Sequence, residues 1–175
     1  MTDHVARKLP RDLAGYWRME AMNIALVPGL ALFFGFPHNR LELLALGVAS
    51  VSTAAFLLVG TFYWRGVERR ARLGDLAALD HALRFAGRIE FPALMLSVIA
   101  ALVTCWGSWT NGWSASIIAS AALVVLSALE YINYYHWQLQ IFDHAADFRR
   151  MITTRRLKRA HMGRELARMR HRDRA

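Results

Sequence analysis

Charge and apolarity are segregated along this chain more sharply than a water-soluble fold tolerates. Residues 41–64 carry one charged side chain, Glu42, and 93–129 carry none, while arginines crowd the segments between and beyond. A helix needs about 20 residues to cross roughly 30 Å of hydrocarbon, and these runs are long enough. The chain has 175 residues, enough for one domain, with 55% hydrophobic residues beside a net charge of +9. That combination, in separate blocks, excludes a disordered basic chain and an ordinary soluble enzyme. Open sheet is excluded too, because every backbone polar group in lipid must be paired internally. The expected fold class is all-α, a polytopic membrane protein.

Four transmembrane helices are expected, at about 16–36, 41–64, 91–109 and 113–135, arranged as two hairpins. Pro37-His38-Asn39-Arg40 and Thr110-Asn111-Gly112 supply the tight turns. Pro28 falls inside the first span, where it should kink the helix. Orientation follows from the basic residues. Of 22 lysines and arginines, 21 lie before the first span, between the second and third, or after the fourth; Arg40 is the exception. The positive-inside rule then places both termini and the middle loop in the cytoplasm, N-in and C-in. Trp106, Trp109 and Trp113 mark the outer boundary, and Trp17, Tyr63, Trp64, Tyr134, Tyr135 and Trp137 the inner one. Short loops and basic residues that are nearly all arginine point to a bacterial inner membrane. No cleaved signal peptide is expected, since the polar lead is long for an n-region and no Ala-x-Ala site follows the apolar run.

The domain expectation is a bundle over 1–148 and a basic helical tail over 149–175. Within the bundle, 66–88 reads as one amphipathic cytoplasmic helix on the membrane surface. Its apolar stripe is Leu73, Leu76, Leu79, Leu83 and Ala86. The tail carries eleven basic residues against Glu165 and Asp173, with Leu157, Met162, Leu166 and Met169 as its apolar positions. Anionic lipid headgroups at the cytoplasmic face are the expected partner, at about 1 kcal/mol per basic residue near the surface. Nucleic acid is not expected, because topology already accounts for the basic excess and no aromatic interleaving accompanies it. The two hairpins also share features. Arg18-Met-Glu20 and Arg88-Ile-Glu90 open the first and third spans, and Phe62-Tyr63-Trp64 and Tyr135-His136-Trp137 close the second and fourth. A tandem duplication would produce this, and so would the repeated need for interfacial anchors.

Ionisable residues at membrane depth point to function by default. Glu20 and Glu90 open their spans, and Glu130 lies about 15 residues after Ala115, roughly 22 Å along the helix. With Arg18, Arg88, Asn133 and His136 they are the candidate functional polar cluster, one layer near the cytoplasmic mouth. A ring of ion pairs tying helix ends together is the competing reading. On a continuous helix Asn133, His136, Gln140, Asp143, His144 and Asp147 share one face. His136 and His144 are two turns apart, too far for one ion, so no metal is expected. No catalytic or cofactor motif is present, and no cofactor is expected.

The run Glu130-Tyr-Ile-Asn-Tyr-Tyr-His-Trp-Gln-Leu139, followed by Arg155-Arg-Leu-Lys-Arg159, resembles a segment of small, mostly uncharacterised bacterial four-helix inner-membrane proteins. The resemblance covers the last third of the chain. It implies a bacterial origin and marks this run as a functional surface, without naming a reaction. The function expected is that of a non-enzymatic accessory or interaction subunit, engaging lipid or a membrane partner through its basic cytoplasmic face. The alternative is a subunit of a homo-oligomeric transporter or pore with a polar path near Glu130. Small residues at four-residue spacing, Ala45, Ala49 and Thr53 in one span and Ser116 and Ser120 in another, suit close helix contact in either case.

Overall fold

The computed structural model describes residues 3–139, 153 and 157–172, with side chains from residue 15 onward. Helices α1 (Asp3–Gly35), α2 (Arg40–Leu73), α3 (Leu76–Asn111) and α4 (Ala115–Tyr131) are followed by a π-helical turn, Ile132–His136, and by α5 (His161–Arg172). The chain forms two compact units, Met1–Ser127 and Ala128–Ala175. Three helices, α2, α3 and α4 with its π turn, are long and apolar enough to cross a membrane.

The turns are set by local chemistry. Asn39 caps α2: its Oδ1 accepts from Glu42 N at 2.9 Å, and His38 N donates back to Glu42 Oε2 at 2.8 Å. This reciprocal pair satisfies two backbone donors at the helix start. Gly112, at φ 74, stops α3. Asn111 Nδ2 donates to Asn39 Oδ1 at 3.4 Å, so both turns lie at one end of the first unit.

At the other end the structure corrects the expectation of a single surface helix over 66–88. Gly74, at φ 68, closes α2 and donates to Arg70 O, and Asp75 caps α3 by accepting from Ala78 N. The segment is therefore the far end of α2 and the beginning of α3, folded back on each other. Gly66 permits the contact: a Cβ there would lie 3.1 Å from Leu79 Cα and 3.2 Å from Ala78 O. The apolar stripe is split accordingly. Leu79, Leu83 and Ala86 are buried, whereas Leu73 and Leu76 are exposed beside the turn. Helix α3 also runs through Pro92, which cannot donate to Arg88 O one turn earlier.

The interior of the first unit mixes small residues with a few large ones such as Phe56 and Tyr63, and many other large apolar side chains lie outside. Leu46, Ala49, Ala100 and Leu123 form the core, with Val27 and Ala31 of α1 packed on it, so α1 to α4 all contribute. Phe33, Phe34, Val51, Leu102 and Val125 face outward. Without a solvent that rejects apolar surface, helices associate through close packing and hydrogen bonds, and small residues allow the approach. Of these three apolar helices, α2 is the most enclosed. Its apolar window is 56% buried, against 22% for α3 and 28% for α4.

Candidate functional site

The expected polar layer divides between the two units. In the first, Glu20 is buried at 4% exposure, Glu90 is half-buried, and Arg18 and Arg88 are exposed. In the second, Glu130 and Asn133 are half-buried and His136 is exposed. Glu20 is thus more enclosed than Glu130, although helix position alone sets Glu130 deeper. The continuous helical face proposed for Asn133 to Asp147 ends at the π turn, because Trp137 is extended (φ −132, ψ 135). Asn133 terminates the helix: its Oδ1 accepts from Leu139 N at 2.9 Å. Gln140, Asp143, His144 and Asp147 lie outside the described residues. Among the described residues no group of three or more His, Cys, Asp or Glu side chains could hold a metal ion.

Two arrangements were not anticipated. The first is a hydroxyl clamp joining α2, α3 and α4. Ser52 Oγ lies 2.6 Å from Ser97 Oγ, and Thr53 Oγ1 lies 2.9 Å from Ser127 Oγ and donates to Leu123 O at 3.1 Å. Ser52, Thr53 and Ser127 are fully buried. The second is a carboxylate clasp at the α2–α3 end. Trp17 Nε1 donates to Glu68 Oε2 at 2.7 Å, and Arg72 pairs with Glu68 Oε1 at 2.8 Å. Arg18 and Arg65 lie 5.5 and 5.7 Å from the Trp17 ring. The Glu68–Arg72 spacing of four on one helix could have found that ion pair, though not the Trp17 bond.

Each unit carries a surface hollow with basic walls. The first, about 530 Å³ between the ends of α2 and α3, is lined by Phe62, Phe85, Arg65, Arg69, Asp75 and His81 among others. Its charge is partly cancelled, since Arg69 pairs with Asp75 at 2.9 Å. The second, about 440 Å³, lies between the π turn and α5. No protein-family model, curated protein or solved structure matches the chain. The site must therefore be read from its own geometry.

In the second hollow, residues 136–138 of the first stretch singled out in the sequence meet Lys158 and Arg159 of the second. Trp137 and Arg159 form an isolated antiparallel bridge, with Gln138 N donating to Lys158 O and Ala160 N to His136 O, both at 2.9 Å. Tyr131 packs tilted against Tyr135 and edge-on to His136, with ring centroids 5.3 and 5.0 Å away. Met162, Leu166 and Met169 form the buried stripe of α5. This turns Arg164 and Arg168 into the hollow, beside Arg159. At the helix start, partial desolvation of the largely exposed His161 imidazole, with Arg164, Lys158 and Arg168 nearby, holds its pKa below the usual value against the upward pull of Glu165 3.8 Å away.

Proposed function

We propose that this chain is a small four-span protein of the bacterial inner membrane, with both termini in the cytoplasm. On this reading it acts as a non-enzymatic accessory subunit that engages anionic lipid or a membrane partner through its basic face. The observation that carries the reading is charge polarity in the first unit. Arg65, Arg69, Arg70 and Arg72 cluster at the α2–α3 end, and Arg18 joins them through Trp17; Arg40 stands at the opposite end. Helix α1 supports a fourth span, since it has 33 residues and packs Val27 and Ala31 on the common core. Trp106, Trp109 and Trp113, 66%, 91% and 69% exposed, are available as anchors near the Arg40 end.

Topology is tested with single cysteines in a background where the exposed Cys105 is replaced by serine. Cysteines at Asn39 and Asn111 should react with an impermeant thiol reagent applied outside intact cells, and those at Ala71 and Ala167 should not. Labelling at Ala71 would overturn the N-in, C-in arrangement. The interaction role is tested by purifying the intact chain in mild detergent. Retained anionic lipid or a stoichiometric foreign polypeptide supports it. A lipid-free homo-oligomer that conducts ions in planar bilayers would favour the pore instead. The hydroxyl clamp bonds α2, α3 and α4 directly to one another, which favours placing such a path between copies.

A further inference from the structure

The hollow beside α5 gathers three arginines. Arg159, Arg164 and Arg168 all line it, and among the described residues none of the three has an ion-pair partner. Glu165 lies between the two α5 arginines in sequence, with its Oε2 3.8 Å from His161 Nδ1. Arg164 and Arg168 sit four apart on one helix, where like charges repel and cost helix stability. Rotation of α5 cannot relieve the repulsion, because Met162, Leu166 and Met169 are buried and fix its register. The bridge between Trp137 and Arg159 fixes the backbone of the third arginine at the hollow.

The space between them is held open by small residues. Ala160, Gly163 and Ala167 leave a hollow of about 440 Å³, within the usual range of small-ligand sites. Gly163 is required by geometry, since a Cβ there would collide with the Tyr135 carbonyl. Guanidinium groups present paired N–H donors that match the oxygens of a phosphate, and three of them suit a dianion better than a monoanion. Trp137 and Tyr135 add apolar surface at the wall for the carbon skeleton of the ligand.

We infer that this hollow binds a phosphate monoester, either free or as the headgroup of a lipid. The inference rests on the reading that anionic groups engage the basic face, and adds a saturable site with a headgroup preference. The test uses full-length protein in an uncharged detergent, titrated calorimetrically with glycerol 3-phosphate and with short-chain phosphatidic acid. Three proteins are compared: wild type, R164Q/R168Q, and R170Q/R172Q, which removes equal charge from the same helix outside the hollow. The expected result is one ligand per chain, bound at least tenfold more weakly by R164Q/R168Q and unchanged in R170Q/R172Q. Binding of both ligands identifies the phosphate monoester as sufficient; binding of phosphatidic acid alone identifies a lipid site. Equal weakening in the two variants would overturn the inference while leaving general attraction to anionic lipid intact. Absence of saturable binding to either ligand would overturn it as well. If the wild-type protein also retained no anionic lipid on purification, the broader reading would fail with it.

Discussion

Trp17 and Glu68, 51 residues apart in sequence, are joined by an indole N–H···carboxylate bond of 2.7 Å at the α2–α3 end. It ties the first helix to the second where both carry their arginines. Glu68 is 7% exposed, so loss of its donor leaves a buried oxygen short of a partner. Trp17→Phe should therefore lower stability by about 1–3 kcal/mol, the cost of leaving a buried polar group unsatisfied. Glu68→Gln should cost less than Glu68→Leu, since the amide oxygen still accepts from Trp17. Thermal unfolding in detergent checks the order, and a Trp17→Phe protein as stable as wild type would contradict it.

Gly35 and Phe36 pull in opposite directions at the end of α1. Phe36 holds φ at 42, a left-handed conformation that costs an L residue about 1–2 kcal/mol. The glycine that would accept this conformation sits one position earlier, because a Cβ at Gly35 would come 3.0 Å from Leu46 Cδ2 and 3.3 Å from Ser116 Cα. Phe36→Gly should raise the melting temperature, and Gly35→Ala should lower it. A rise for Gly35→Ala would show that the α1–α4 approach is looser than these distances.

Much of the first unit was legible because apolar length and turn residues are local signals. Asn39 as a cap, Gly112 as a stop and the apolar runs of α2, α3 and α4 can all be read within a few residues. The α2–α3 turn was missed because the leucine stripe has helical period on both sides of it. Gly74 followed by Asp75 is a stop signal followed by a start signal, and its chemistry overrides the period. The carboxylate clasp was missed for another reason: Trp17 reads as an interfacial anchor and Glu68 as half of an i,i+4 pair. Only the packing of α1 on α2 makes them partners. The hollow beside α5 was half legible, since both of its strands of sequence were noticed but their pairing depends on the extended turn at Trp137.

His161 gives α5 a pH dependence of definite sign. Partial desolvation and the neighbouring cations lower its pKa in the folded protein, so the unfolded chain binds the proton more readily. Its contribution to stability is present above the ordinary histidine value of about 6.5 and is lost as pH falls through the lower, folded value. Hydrogen exchange of the α5 amides, corrected for intrinsic rates, should show protection falling on acidification below that point. His161→Asn should flatten the dependence. If α5 instead gained protection as His161 protonated, the pairing with Glu165 would outweigh burial.

The hydroxyl clamp should behave as one unit rather than as four independent bonds. Thr53 Oγ1 meets both Leu123 O and Ser127 Oγ, Ser52 Oγ meets Ser97 Oγ, and Ser52 also reaches Ser127 at 3.3 Å. Thr53→Val keeps the shape and removes the hydroxyl from a fully buried position. Interhelical hydrogen bonds of this kind in membrane bundles average about 0.6 kcal/mol and reach about 1.7 kcal/mol. Thr53→Val belongs near the upper figure, because it breaks contact with α4 through both a carbonyl and a hydroxyl. Ser97→Ala belongs near the lower, because Ser52 can still turn to Ser127. The double variant Ser52→Ala/Ser97→Ala should lose less than the sum of its singles, since the two hydroxyls share one bond of 2.6 Å. Reversible unfolding of each variant in mixed micelles measures these differences. Strict additivity across Ser52 and Ser97 would mean that the two hydroxyls do not bond to each other in the folded bundle.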